Sequence, residues 1–142
     1  MAEHKDGRII SDRAPEPVGA FPHARRVGNL LFLSGIGPRV RGSRSIPGVD
    51  LDEEGSIRGY DIAKQTLAVF ENVRTVLEDS GSGWDQIVDV QVFLTNMKKD
   101  FATFNGLYAE HFRENQPTRT TIEVGSLPTP IAVELKVIAT VE

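Results

Sequence analysis

The chain has 142 residues, 39% hydrophobic and 25% charged, which fits one globular domain over residues 1–142 and excludes disordered or collagen-like architectures. Its 16 Lys and Arg against 20 Asp and Glu leave a net charge of −4, which draws no polyanion, so no nucleic-acid partner is expected. Cysteine is absent, and with it disulfides, thiolate nucleophiles, Cys-based zinc sites and iron–sulfur clusters.

Residues 1–14 are a polar lead-in without an apolar core of signal-peptide length. No later run approaches the ~18 apolar residues of a membrane span, so a cytoplasmic protein with no membrane partner is expected. From Ala24 to Gly35 the chain reads ARRVGNLLFLSG; Gly28-Asn29 between two strand-like runs predicts a β-hairpin. Residues 37–59 mix Gly, Pro, Ser and both charge signs without periodicity, the pattern of a long surface loop.

Between Asp61 and Asp79, Ile62, Leu67, Val69, Phe70, Val73, Val76 and Leu77 recur mostly three or four apart, which predicts an amphipathic helix. Ser80-Gly81-Ser82-Gly83 ends it, and IVDVQVFL over Ile87 to Leu94 alternates as a half-buried strand does. A second helix over Lys98 to Arg113 puts Phe101, Phe104, Tyr108 and Phe112 on one face and is stopped by Pro117. Thr120 to Val124 and Ala132 to Val141 supply two β-branched runs. This order predicts an α+β fold, with two helices on one face of a mixed sheet and the other face left for a second copy of the chain to cover.

Chemical motifs are few. The three histidines, His4, His23 and His111, show no metal-binding spacing, so no metal is expected. Gly35-Ile36-Gly37 lacks the third glycine of a dinucleotide fingerprint, and phosphate-cradling and serine-hydrolase motifs are missing, so no cofactor is expected. Arg119 carries a fork of donors suited to a carboxylate, or to a surface ion pair. Glu134, inside the apolar run IAVELKVIATV, either faces solvent beside Lys136 or serves a ligand.

The segment Pro117-Thr118-Arg119-Thr120-Thr121-Ile122-Glu123-Val124, with Leu127-Pro128 and the Glu134 strand, resembles the carboxy-terminal signature of the RidA/YjgF family of enamine/imine deaminases. The Ser34-Gly35 strand end, IAKQTLAVFENVRTVLEDSG and Phe101-Ala102-Thr103-Phe104-Asn105 extend the likeness over roughly residues 15–141. The resemblance implies a chorismate-mutase-like fold and a homotrimer with sites at subunit interfaces. It also implies cofactor-free hydrolysis of a small anionic enamine or imine, with Arg119 holding the substrate carboxylate and Glu134 positioning water as the catalytic pair. Asn105 and Gly35 match substrate-pocket positions. Phe21 stands where many relatives have tyrosine, Thr121 where cysteine is frequent, and Lys136 where a second glutamate is common.

The loop PRVRGSRSIPGVDLDEEGSIRGYD and the ending IEVGSLPTPIAVELKVIATVE look like the branch of that family that deaminates 2-aminomuconate to 4-oxalocrotonate in aromatic-compound degradation. Such a dicarboxylate implies a second cation, for which Arg25, Arg26, Arg39, Arg41 and Arg44 are candidates. The alternatives are a broad-specificity deaminase that clears amino-acid-derived intermediates and a non-catalytic sensor or chaperone.

Overall fold

A computed structural model gives the fold and describes residues 2–3 and 6–142; His4 lies outside the described residues. The elements run β1 (Ala2–Glu3), β2 (Arg8–Ile10), β3 (Ala24–Val27), β4 (Leu30–Leu33), β5 (Val49–Leu51), β6 (Ile57–Tyr60), α1 (Ile62–Asp79), a 3-10 turn (Trp84–Gln86), β7 (Ile87–Leu94), α2 (Met97–His111), β8 (Thr118–Glu123) and β9 (Val133–Thr140). Seven strands make one mixed sheet in the order β1-β2-β3-β4-β9-β7-β8, with β7 and β8 its parallel pair.

The expected hairpin is β3–β4, closed by Gly28 at a φ of +61°. Both helices begin where a side chain accepts a bond from an otherwise orphan main-chain N–H: Asp61 from Lys64 at 3.1 Å, and Asn96 from Lys99 at 3.0 Å. Helix α2 ends at His111, short of the proline expected to stop it. Leu67, counted with the apolar stripe of α1, instead stays exposed because it points away from the sheet.

Two stretches read as irregular carry strands. In 37–59, β5 and β6 pair as a separate hairpin closed by an Arg58–Asp50 ion pair at 3.0 Å. Its turn is held by Asp52, whose Oδ1 accepts from the main-chain N–H groups of Glu54 and Ser56, both at 2.9 Å. The alternation is too short and too charged to stand out. In the polar lead-in, β2 adds to the sheet through β3 and buries Ile9.

The core lies between the helices and one face of the sheet. Val133, Leu135, Val137 and Ala139 of β9 and Val90, Val92 and Leu94 of β7 point into it, while alternate residues point the other way. Phe70 of α1 anchors an aromatic cluster, edge-on to Trp84 and Phe112 and 4.9 Å from the His111 ring. His111 is therefore a packing residue, its Nδ1–H donating to the Leu107 carbonyl at 2.9 Å. Among the described residues no helix is long and apolar enough to cross a membrane.

The opposite face carries Phe32, Phe93, Ile138, Glu134 and Lys136 with no helix over it, and Val27, Leu30, Val88 and Ile122 remain exposed. This open face carries Glu134, one of the two candidate groups.

Candidate active site

Glu134 points from β9 onto the open face. After β4 the chain turns alongside β9, and Ile36 exchanges two main-chain hydrogen bonds with Leu135, at 2.8 and 2.9 Å. That pairing lays the Gly35 backbone against the Glu134 carboxylate. A Cβ at position 35 would lie 3.0 Å from the Glu134 carboxyl carbon and collide with its Oε2, so glycine is required for the close approach. Phe21, Gly37, Arg39, Thr129 and Ile131 complete a recess around the carboxylate. Half-buried, with no cation bridging it among the described residues, Glu134 has its carboxyl pushed up by burial.

We expect Gly35→Ala to displace this carboxylate while leaving the fold intact. Turnover should fall about tenfold or more, as small misplacements of reacting groups do, and the melting temperature should move little. Equal losses of stability and turnover would contradict a positioning role.

Arg119 lies in β8, opposite Val90 of β7. Because Val90 faces the core, Arg119 also points to the helical side, under α2. There Asn105 Oδ1 accepts from its Nη1 at 2.8 Å, and its guanidinium carbon sits 4.6 Å from the centre of the Tyr108 ring and 5.9 Å from that of Phe101. Phe101, Asn105 and Tyr108 share one face of α2 because they are four and three residues apart. No carboxylate among the described residues bridges Arg119, which leaves most of its planar fork open to a ligand. The Tyr108 hydroxyl has no hydrogen-bond partner among the described residues, and burial pushes it up to about 12 against the opposing pull of Arg119.

Arg119 and Glu134 do not meet within one chain. They flank β7 on either side, Arg119 at the level of Val90 and Glu134 at that of Phe93. Alternation therefore sends them to opposite faces, and their backbones lie two strand spacings apart across the sheet and three residues apart along it, roughly 14 Å.

Of the five candidate arginines, Arg39 alone lines the Glu134 recess, with its Nη2 donating to the Glu16 carbonyl at 2.6 Å. Arg41 ties down the carbonyls of Ser11 and Ala14, and Arg26 that of Gly28. Arg25 sits on the sheet beside Arg8, and Arg44 is exposed. Lys136, beyond Glu134 on the same face, donates from Nζ to the Leu33 carbonyl at 2.5 Å, and burial pulls its ammonium down. Sequence reasoning missed Tyr108 as the platform under Arg119. The helical spacing from Asn105 was the available signal.

The model of the family described as Endoribonuclease L-PSP matches residues 11–141. The chain is 37% identical over 131 residues to a RutC family protein of Pyrococcus abyssi, covering 92% of this chain and 94% of that one. It is 36% identical over 137 residues to the 2-iminobutanoate/2-iminopropanoate deaminase of Dermatophagoides farinae, covering 95% and 97%. Among solved structures it is similar to yeast YEO7, with a TM-score of 0.82 at 32% identity over 95% of this chain and 98% of that one. It is likewise similar to Escherichia coli TdcF holding serine, with a TM-score of 0.79 at 29% identity over 95% and 98%. The fold is the chorismate-mutase-like one.

Proposed function

We propose, from the premise that this chain belongs to the Endoribonuclease L-PSP family, which includes the RidA/YjgF proteins, that it hydrolyses small 2-imino and 2-enamino acids to 2-oxo acids and ammonia. The observation that carries this reading is a pair of unneutralised groups, the Arg119 fork and the Glu134 carboxylate, each backed by protein and open to a ligand. The deaminase named among the relatives and the serine held by TdcF support a small amino-acid-derived substrate. The net charge of −4 favours such a substrate over the polyanion that the family description suggests.

Opposite faces of one sheet cannot close on one small molecule, so the reading requires Arg119 of one copy to face Glu134 of another. The exposed apolar residues of the open face favour a closed homo-oligomer, and we take it to be a trimer. In such a cleft Arg119 binds the substrate carboxylate through paired N–H donors and fixes the adjacent carbon. An enamine takes a proton on carbon to become the iminium. Water then adds to that carbon as Glu134 accepts its proton, which gives a carbinolamine. Return of that proton to nitrogen and scission of the C–N bond, with loss of the hydroxyl proton to solvent, release ammonia and leave the 2-oxo acid. Water is the only co-reactant.

The test is ammonia release from freshly generated 2-iminopropanoate, set against the spontaneous rate. Wild type should accelerate it, and Arg119→Ala should lose about 10²–10³-fold in kcat/KM, the scale of leaving a charged partner unmet. No acceleration by wild type would favour the sensor reading.

A second reading, 2-aminomuconate deamination, draws on Arg39 beside Glu134, a cation placed to meet a distal carboxylate. Faster turnover of that dicarboxylate than of any monocarboxylic imine would select it.

A further inference from the structure

Arg119 stands in β8, an edge strand paired only with β7. A long side chain there samples many rotamers unless its end is held at more than one point. Asn105 supplies one point, its Oδ1 accepting from Nη1 at 2.8 Å. A single hydrogen bond is a pivot about which the guanidinium can still turn. The Tyr108 ring supplies a surface for it to rest on, with its centre 4.6 Å from the guanidinium carbon, and the centre of Phe101 lies 5.9 Å away. Both lie within the ~6 Å over which the negative face of a ring attracts a cation.

Tyr108 is itself fixed. It is 9% exposed, its ring is stacked on Phe112 at 4.1 Å, and Phe104 and Phe70 flank it at 5.9 and 6.4 Å. A ring packed among three others cannot follow the arginine, so the arginine must settle on the ring. A carboxylate partner would also hold Arg119, but it would occupy the N–H donors that a ligand needs. An aromatic face attracts the cation and leaves those donors open. The Tyr108 hydroxyl bonds to nothing among the described residues, so the ring is the part in use.

We infer that Tyr108 is a positioning residue for Arg119: its ring face fixes the guanidinium and thereby sets the affinity for the substrate carboxylate, without touching the substrate. The inference rests on the deaminase reading for its ligand and on the ring contact for the role.

The experiment replaces Tyr108 with phenylalanine, then with phenylalanines carrying one, two and three ring fluorines, which drain the negative face and nearly keep the shape. Calorimetry gives the Kd of pyruvate, the stable 2-oxo acid, and kinetics give kcat and KM for 2-iminopropanoate. Kd and KM should climb stepwise with fluorine count, to about tenfold, the scale of a desolvated cation–ring contact, while kcat moves less than about twofold. Tyr108→Leu should lose about as much affinity as the trifluorinated ring, and Tyr108→Phe should recover most of that loss. Tyr108→Phe should also melt above wild type, because it removes a buried hydroxyl without a partner, and the fluorinated variants should melt close to it.

If leucine prevents folding, the fluorine series decides the question by itself. A flat Kd and KM along that series, or a fall in kcat at constant KM, would overturn the positioning role and leave the deaminase reading standing. Pyruvate affinity that weakens with fluorine count in a protein that turns over no imine would uphold the role of Tyr108 and overturn the deaminase reading. A wild type that neither binds pyruvate nor turns over any imine would overturn both.

Discussion

Co-assembly of Arg119→Ala chains with Glu134→Gln chains, each inactive alone, should restore about one quarter of wild-type activity. In a closed ring each cleft draws its arginine from one chain and its glutamate from a neighbour. With equal, random mixing, half of the neighbours on one side keep Arg119 and half on the other keep Glu134, so about one cleft in four is complete. The expectation follows from register: Arg119 pairs with Val90 and Glu134 with Phe93 on the two edges of β7, and the pleat turns them to opposite faces. Mixing after assembly, without exchange, should restore nothing. Light scattering on every sample keeps loss of the oligomer apart from loss of the site. A complex of correct mass that stayed inactive after co-assembly would show that the two residues do not share an intersubunit cleft.

Glu134→Gln should lower kcat by about 10²–10⁴-fold, the usual contribution of a positioned acid–base group, and should flatten the pH profile. In the proposed mechanism the ionised carboxylate is the active form. Burial raises its folded pKa above that of a free glutamate, so activity should fall with acidification at a pH above the ordinary carboxylate range, about 4.3. That acid limb should vanish in the glutamine variant. Stability should move the other way. A carboxyl whose folded pKa is raised contributes stability below its unfolded pKa and loses it as pH rises through the folded value. Ionised Glu134 therefore costs stability at neutral pH. Glu134→Gln should melt at a higher temperature than wild type at pH 7, and the difference should close in acid. A variant that is slower yet more stable cannot owe its slowness to unfolding.

Much of the fold was legible because it is written in short periods. The spacing of Val69, Phe70, Val73, Val76 and Leu77 marks α1, and Asp61 caps it. The alternation IVDVQVFL is β7 to the residue, and Gly28 supplies the positive φ that its hairpin turn needs. Hairpin β5–β6 escaped because each strand is short and its stabilising Arg58–Asp50 pair links residues that carry no apolar signal. Strand β2 escaped because only Ile9 of its three residues is buried.

For the site, the chemical identity of Arg119 and Glu134 was readable, since an arginine at a strand start and a glutamate in an apolar strand are costly unless used. Their environments were not. Local sequence could not say that Gly35 would lie against Glu134, a contact made by the Ile36–Leu135 bridge across about a hundred residues of chain. Nor could it show that Arg39, of five similar arginines, lines the recess, or that Tyr108 turns its ring beneath the Arg119 guanidinium.

By itself the sequence determined the elements, their order and the kinds of functional group available, because hydrophobic periodicity and capping act over a few neighbouring residues. Only the tertiary structure decided which face of the sheet each group occupies and which backbone it rests against. Strand order and register join residues far apart in the chain, and a shift of one residue in register would send Glu134 to the other side of the sheet.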